Sequence, residues 1–397
     1  MNRKNWKPSL AGLALAVSAL ALAACGSGSG SSGESDSGST TGGSTGAATT
    51  TDAAVVTDAK AAVEAGYEGT FQTPPTDGPA AQQGKKVWAV ACIAAAPGCQ
   101  TPVEAFKAAG QVLGWDVTLA DGKADPAVYN SVIQQAIAAK ADGIALMSID
   151  CPSVKNSLTA AKQAGIPVVT MYSFDCDDPK LGGNEKLFDS TTPSPTGEFF
   201  SAGGDLGAQW IIAKTDGKAK IVYVTADTYN NAAYIRDAFH KRLETCAGCE
   251  IVSEINAPTG DNASGALVQK VETAMQQHPD TNVLALWADT KTVVLAQTIK
   301  KLKAEHPDLI VMGGEGNPEN MPLIADGVQD VAIGVPMKWL GWAAADALNR
   351  IFAGEQPVAE SLGYQIIDKD HGLPADASAW VPSVDYEAAY TKVWTGQ

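Results

Sequence analysis

The chain has 397 residues, 44 of them acidic and 28 basic, for a net charge of −16 at neutral pH. That balance argues against nucleic acid or an anionic lipid surface as the main partner, since both repel a polyanion. Its length, less a biased N-terminal stretch, exceeds one typical domain and suits two.

In chain order, Arg3, Lys4 and Lys7 precede an uncharged apolar run over 10–22, with small residues after it. This is the layout of a secretory signal over 1–24, and the run is shorter than the roughly 20 residues of a membrane-spanning helix. Leu22-Ala23-Ala24-Cys25 resembles the bacterial lipobox. The resemblance implies cleavage before Cys25 and lipid on that cysteine; an ordinary signal cleavage site or a retained anchor helix are the alternatives. Loss of Arg3, Lys4 and Lys7 takes the net charge from −16 to −19. Residues 26–51 are almost entirely Gly, Ser, Thr, Ala, Asp and Glu, a composition that cannot bury enough apolar surface to fold and reads as a flexible tether. The expected location is extracytoplasmic, lipid-anchored to the outer face of a bacterial cell membrane.

Residues 52–65 have helical composition, and 73–84 are rich in Pro, Gly and Gln; together 52–84 form an N-terminal helix and linker. A regular alternation follows. Strands are predicted over 86–93, 116–119, 143–148 and 168–171, with helices over 102–113, 125–139 and 153–164 between them. Thr101 with Pro102, and Asp125 with Pro126, read as cap and first helical position. Residues 173–196 are polar and turn-rich. The alternation then resumes: helix 199–214, strand 220–225, helix 231–245, strand 250–255, helix 264–277, strand 283–286, helix 292–303, strand 309–312, a short helix at 322–326, strand 331–334 and helix 341–352. Strands alternating with helices of this length mean βαβ units and parallel sheets, and continuous apolar strands mean sheets covered on both faces. Ligands of such sheets sit beyond the carboxyl ends of the strands. The segments to watch are therefore 94–100, 149–152, 172–175, 226–230, 287–290, 313–317 and 335–339.

If Cys25 is lipidated, six cysteines remain, an even number in an exported chain, which favours disulfides. Sequence neighbours suggest Cys92–Cys99, Cys151–Cys176 and Cys246–Cys249. The last pair is a C-x-x-C, for which a redox or zinc role is the alternative; it follows a helix rather than a strand, and no second such pair accompanies it.

Several runs resemble the type I periplasmic sugar-binding proteins: Trp115-Asp-Val-Thr-Leu-Ala-Asp-Gly, Asp125-Pro, Ile133-Gln-Gln-Ala-Ile, Ala141-Asp-Gly-Ile-Ala-Leu and Ala160-Ala-Lys-Gln-Ala-Gly-Ile-Pro-Val-Val-Thr. His278-Pro-Asp-Thr-Asn-Val and Gly313-Gly-Glu-Gly-Asn-Pro extend the likeness, which covers about 85–356. It implies an α/β chain of two doubly wound parallel-sheet lobes joined by three hinge strands near 189–196, 335 and 364–367. Lobe 1 would comprise 85–192 plus 335–364, and lobe 2 193–334 plus 365–397. The family's sugar code is altered here. Tyr172-Ser173 stands in place of an Asp-Arg pair, Ile235 in place of an arginine with Arg236 next to it, Ala288-Asp289 in place of Asn-Asp, and Val335 in place of a glutamine; Glu315 keeps its acidic type. Tyr172, Phe174, Tyr229, Tyr234, Trp287 and Trp339 bring many rings to these loops, which suits a less polar or aromatic solute, or a sugar derivative.

The candidate ligand-binding residues are Ala96, Tyr172, Ser173, Phe174, Tyr229, Arg236, Trp287, Asp289, Glu315, Met337 and Trp339. Six of them have a plainer alternative: core packing for the two tryptophans, a strand cap for Tyr172, a helix N-cap for Asp289, a surface charge for Arg236 and a turn for Glu315. The resemblance implies a monomer that captures a small molecule by hinge closure and delivers it to the permease of an ABC importer. No cofactor, metal or catalytic set is expected, since G-x-S-x-G, P-loop and metal-cluster patterns are missing from the sequence. A repressor would need a basic helix-turn-helix ahead of the first lobe. A sensor that passes ligand occupancy to a membrane receptor or kinase is the alternative with the same sequence features.

Overall fold

The computed structural model describes residues 46–227, 229–360 and 362–396. The expected signal segment, Cys25 and the tether up to residue 45 lie outside these residues. Helix α1 (Gly46–Glu68) begins inside the expected tether and ends three residues beyond the expected helix.

The first sheet contains β1 (Lys86–Ala91), β2 (Asp116–Asp121), β3 (Gly143–Met147), β4 (Val168–Met171) and β5 (Ser190–Thr192), all parallel, in the order β2-β1-β3-β4-β5. Helices α2 (Pro97–Val112), α3 (Pro126–Ala138) and α4 (Cys151–Gln163) connect its first four strands. Every residue of β3 and β4 is buried. Alternate residues serve opposite faces: Val87, Ala89, Ala145 and Met147 pack with Phe106 and Leu113, while Val90, Ile144 and Leu146 pack with Ile133 and Leu158. Two covered faces are why these strands read as continuous apolar runs.

Helix α5 (Thr196–Lys214) leads into the second sheet, whose strands are β6 (Lys220–Thr225), β7 (Glu250–Asn256), β8 (Val283–Leu286), β9 (Ile310–Gly313), β10 (Val331–Gly334) and β11 (Gln365–Ile367). Their order is β11-β10-β9-β8-β6-β7, with β11 antiparallel to β10 and the other pairs parallel. Helices α6 (Asn230–Leu243), α7 (Thr259–Ser264), α8 (Ala266–Gln277), α9 (Asp289–Glu305) and α10 (Met321–Ala325) lie between its strands; α11 (Met337–Phe352) and α12 (Tyr386–Thr395) follow.

Helix starts follow local chemistry with two shifts. Asp125 accepts the Ala127 N–H at 2.8 Å and Pro126 opens α3. Helix α2, however, starts at Pro97, so Thr101 is helical and Pro102 lies within the helix. Pro97 takes the first position, where a missing N–H costs nothing. Helix α11 starts at Met337 rather than 341, which moves Met337 and Trp339 from a loop into a helix.

The expected second lobe ran through 365–397, but only β11 of this stretch joins the second sheet. Helix α12 packs on α11 instead. The Trp394 ring stacks on Trp342 at 5.5 Å and 5°, and Tyr386 on Trp339 at 5.1 Å and 9°. A buried polar network fastens the pair. The Trp394 Nε1–H donates to Asp346 at 2.7 Å, Arg350 Nε donates to the same carboxylate at 2.6 Å, and the Tyr390 hydroxyl donates to Glu360 at 2.6 Å. The segment after α1 joins them: Arg350 donates to the Asp77 carbonyl at 2.6 Å and Ala81 N–H to the Trp394 carbonyl at 3.0 Å.

The lobes are consequently joined by more than the three expected strands. Residues 193–195, 335–336 and 353–364 make those connections; residues 368–385 run from β11 to α12, and 69–85 from α1, packed on α5 and β11, to β1. Disulfides link Cys92–Cys99, Cys151–Cys176 and Cys246–Cys249, with Cα separations of 5.7, 5.1 and 5.3 Å.

Candidate functional site

Loops at the carboxyl ends of the two sheets meet across the lobes. Asn230, at the start of α6, donates through Nδ2 to Asp150, at the end of the β3 loop, at 2.5 Å. Two non-glycine residues hold left-handed backbone on opposite sides of this junction: Tyr172 after β4, with φ +58°, and Glu315 after β9, with φ +38°. Bulky residues rarely adopt that region, and strained backbone of this kind collects at ligand sites. The surroundings enforce both. Tyr172 N–H donates to the Thr192 carbonyl at 2.8 Å, and Val335 N–H to the Glu315 carbonyl at 2.8 Å.

Tyr172 is 8 % exposed, yet its hydroxyl has no hydrogen-bond partner among the described residues. Its ring meets Phe200 edge-on at 4.7 Å and Phe199 at 5.8 Å. Burial, then the nearby Tyr364 and Glu315, push its phenol well above the usual range and keep it protonated. The Glu315 carboxylate accepts Asn317 Nδ2–H at 3.1 Å, and burial between the lobes pushes its pKa up to about 7. Asp289 lies fully buried and accepts the N–H groups of Gly314 at 3.1 Å and Asn317 at 2.7 Å. It is the first residue of α9 and makes no side-chain cap there; it holds the Glu315 loop in shape. Burial, then Glu315, raise its pKa well above the carboxylate range.

A second set of contacts forms the wall. The Phe174 ring stacks on Tyr234 of α6 at 5.2 Å and 8°. The Tyr234 hydroxyl donates to Asp178, with oxygens at 2.7 and 2.9 Å, and Lys180 pairs with Asp237 at 2.5 Å while standing 4.8 Å from the Tyr234 ring centroid. The polar segment after β4 is thus folded onto the other lobe. Cys151–Cys176 pins it, and Asp175 braces it by accepting the N–H groups of Cys176, Leu187 and Phe188. Asp178, Tyr234 and Lys180 were not among the expected site residues, although Tyr234 was counted among the rings near these loops.

The remaining candidates scatter. Ser173 is fully buried and ties loops together, accepting Ile149 N–H at 2.9 Å and donating to the Met171 carbonyl at 3.2 Å. Trp287 is half-buried, with its ring against α5: a Cβ on Gly207 would lie 3.3 Å from it. Arg236 pairs with Asp227 at 3.1 Å and Asp237 at 3.3 Å on the surface of α6. Tyr229 is 52 % exposed and shares a 2.6 Å hydrogen bond with Thr259. Ala96 caps α2 through its backbone alone. Trp339 is fully buried and its Nε1–H donates to Tyr390 at 3.2 Å. With Met337, Val335 and Trp380 it lines a cavity of about 50 Å³ beside the hinge, too small for a sugar ring.

Two α/β lobes thus meet through the loops at the carboxyl ends of their sheets. A family model described as periplasmic binding protein domain matches residues 93–356, and the chain belongs to that family of non-enzymatic, extracytoplasmic solute-binding proteins. A Rhizobium meliloti protein named for rhizopine binding is 26 % identical over 254 residues, 61 % of this chain and 76 % of that one. Among solved structures, the 5-methylthioribose transporter solute-binding protein of Thermotoga lettingae superposes with a TM-score of 0.65 at 17 % identity, covering 82 % of this chain and 97 % of that one. An Agrobacterium vitis ABC transporter solute-binding protein bound with α-D-tagatopyranose gives 0.64 at 15 %, covering 75 % and 99 %. Among the described residues no helix is long and apolar enough to cross a membrane.

Proposed function

We propose that this chain is a lipoprotein, anchored through Cys25, that closes on a sugar or sugar-like solute and hands it to the permease of an ABC importer. The observation that carries this reading is a pair of left-handed residues at strand ends of opposite lobes, Tyr172 with a buried hydroxyl that has no partner among the described residues and Glu315, whose carboxyl helps to raise the Tyr172 pKa. A solute touching both lobes favours the closed form, because only that form satisfies both sets of contacts. Rings beside polar groups suit a sugar or sugar derivative with an apolar face. The solutes named for the relatives, a methylthio-sugar and a ketohexose, are of this kind.

The test is a thermal-shift screen of the processed protein against sugars, polyols and aromatic acids, followed by small-angle scattering. A true solute raises the melting temperature by mass action, compacts the particle and is recovered unchanged. An unchanged scattering profile at saturation, or turnover of the solute, sinks the reading. For the anchor, a labelled fatty acid should enter the wild type and not Cys25→Ala.

A further inference from the structure

Tyr364 lies at the end of the third connection between the lobes, and no expectation pointed to it as a site residue. It is 2 % exposed, and its hydroxyl has no hydrogen-bond partner among the described residues. Native interiors seldom leave such a group unpaired. Tyr172 presents a second hydroxyl of the same kind, and both tyrosine rings pack on Phe199, Tyr172 edge-on at 5.8 Å and Tyr364 stacked at 4.5 Å; the Glu315 carboxyl is near enough to raise the pKa of both phenols. One group comes from each lobe and the third from the strand that joins them.

Tyr364 is also held unusually well. Thr70, just past α1, donates its N–H to the Tyr364 carbonyl at 2.8 Å, and its Oγ1 accepts the Tyr364 N–H at 2.8 Å. The ring stacks on Phe199 at 4.5 Å. Gly203 of α5 makes room for it: a Cβ there would lie 2.5 Å from the ring and 2.7 Å from the hydroxyl. A Cβ on Gly363 would lie 2.6 Å from Thr70, so the two segments touch backbone to backbone.

We propose that Tyr172, Glu315 and Tyr364 form one subsite for a single protic group of the bound solute, a hydroxyl or an ammonium, and that Thr70 is the positioning residue for Tyr364. The proposal rests on the solute-capture reading above. The donor count fits both chemistries. An ammonium has three donors for the carboxylate and two phenol oxygens; a hydroxyl donates to the carboxylate and accepts from the two phenols. The N-terminal segment, outside the residues matched by the family, thereby acts on the solute site.

The experiment is calorimetric titration of the processed protein with L-arabinose, D-tagatose, 5-methylthioribose, myo-inositol and D-glucosamine, the tightest of the five serving as probe. Tyr364→Phe should raise its Kd by about tenfold or more, and Tyr172→Phe likewise. The unliganded melting temperature should hold or rise, because the group removed was unpaired. Thr70→Val should raise Kd in the wild type and add nothing in the Tyr364→Phe background; an undiminished effect there would mean a general structural role and overturns the positioning assignment. Glu315→Gln separates the two chemistries, sparing a hydroxyl and abolishing an ammonium. Unchanged Kd in both tyrosine variants overturns the subsite alone. Failure of all five solutes to bind the wild type overturns the solute-capture reading and the subsite with it.

Discussion

The Tyr234 hydroxyl of α6 reaches across the lobes to the Asp178 carboxylate, with both carboxylate oxygens within 2.9 Å. This bond, the Phe174–Tyr234 stack and the Lys180–Asp237 pair all join the two lobes. Hydrogen bonds to a charged group are worth about 1.5–3 kcal/mol. Tyr234→Phe should therefore shift the lobes towards opening and weaken solute binding by roughly tenfold. Asp178→Asn should do the same, and the double variant no more. Scattering of the unliganded variants should show a larger radius of gyration; an unchanged radius with unchanged affinity would mean the bond closes nothing.

A pH prediction follows from Glu315. Its carboxyl titrates near the ordinary 4.5 in the unfolded chain and at about 7 when folded, because burial disfavours the charge. The folded state binds the proton more tightly, so the stabilisation is complete below about pH 4.5 and is lost as pH rises through 7. Asp289 shifts in the same direction. Up to about 3 kcal/mol is at stake for Glu315. Melting temperatures of the unliganded protein across pH 5–8 should fall more steeply in the wild type than in Glu315→Gln, and parallel curves would refute this.

The disulfides should differ in weight. Cys151–Cys176 closes a loop of separation 25 and Cys246–Cys249 one of separation 3. By loop entropy the first is worth about 3.5 kcal/mol and the second about 2 kcal/mol. Double serine variants compared by urea melts should keep that order. Mass spectrometry of the unreduced protein should find none of the six cysteines alkylatable.

Arg350 and Asp346 form a buried pair on α11, both under 5 % exposed. Arg350→Leu leaves the carboxylate without its cation, at a cost of about 3–5 kcal/mol. Arg350→Met with Asp346→Leu should recover part of it. Equal losses in the single and double variants would show that packing, not charge, matters here.

The sequence carried the order of strands and helices because the central strands β3, β4, β8 and β10 are buried along their whole length and most helices bury one face, so local pattern and final environment coincide. The cysteine pairs were legible for the same reason: neighbours along the chain became neighbours in space. What was illegible depended on distant partners. Trp339 reads as a pocket ring until Tyr386, 47 residues later, stacks on it and Tyr390 takes its N–H. Asp289 reads as a cap until the Glu315 loop folds onto it. Tyr364 carries no local signal at all; its role comes from Thr70 and Gly203, both far away in the chain. The placement of α12 was missed because its apolar face is made of three rings whose partners all lie on or beside α11.

The number of connections between the lobes has a mechanical consequence. Two bodies linked by a single flexible strand can slide, twist and bend independently. Each further strand fixed at both ends removes some of that freedom, and here the extra ones are anchored, at Thr70 on one side and through Trp380 against Phe71 on the other. What survives is rotation about the shared edge. Under the proposed function, a bound solute would then be expressed as a single angle, the one coordinate left for any partner that touches both lobes to read.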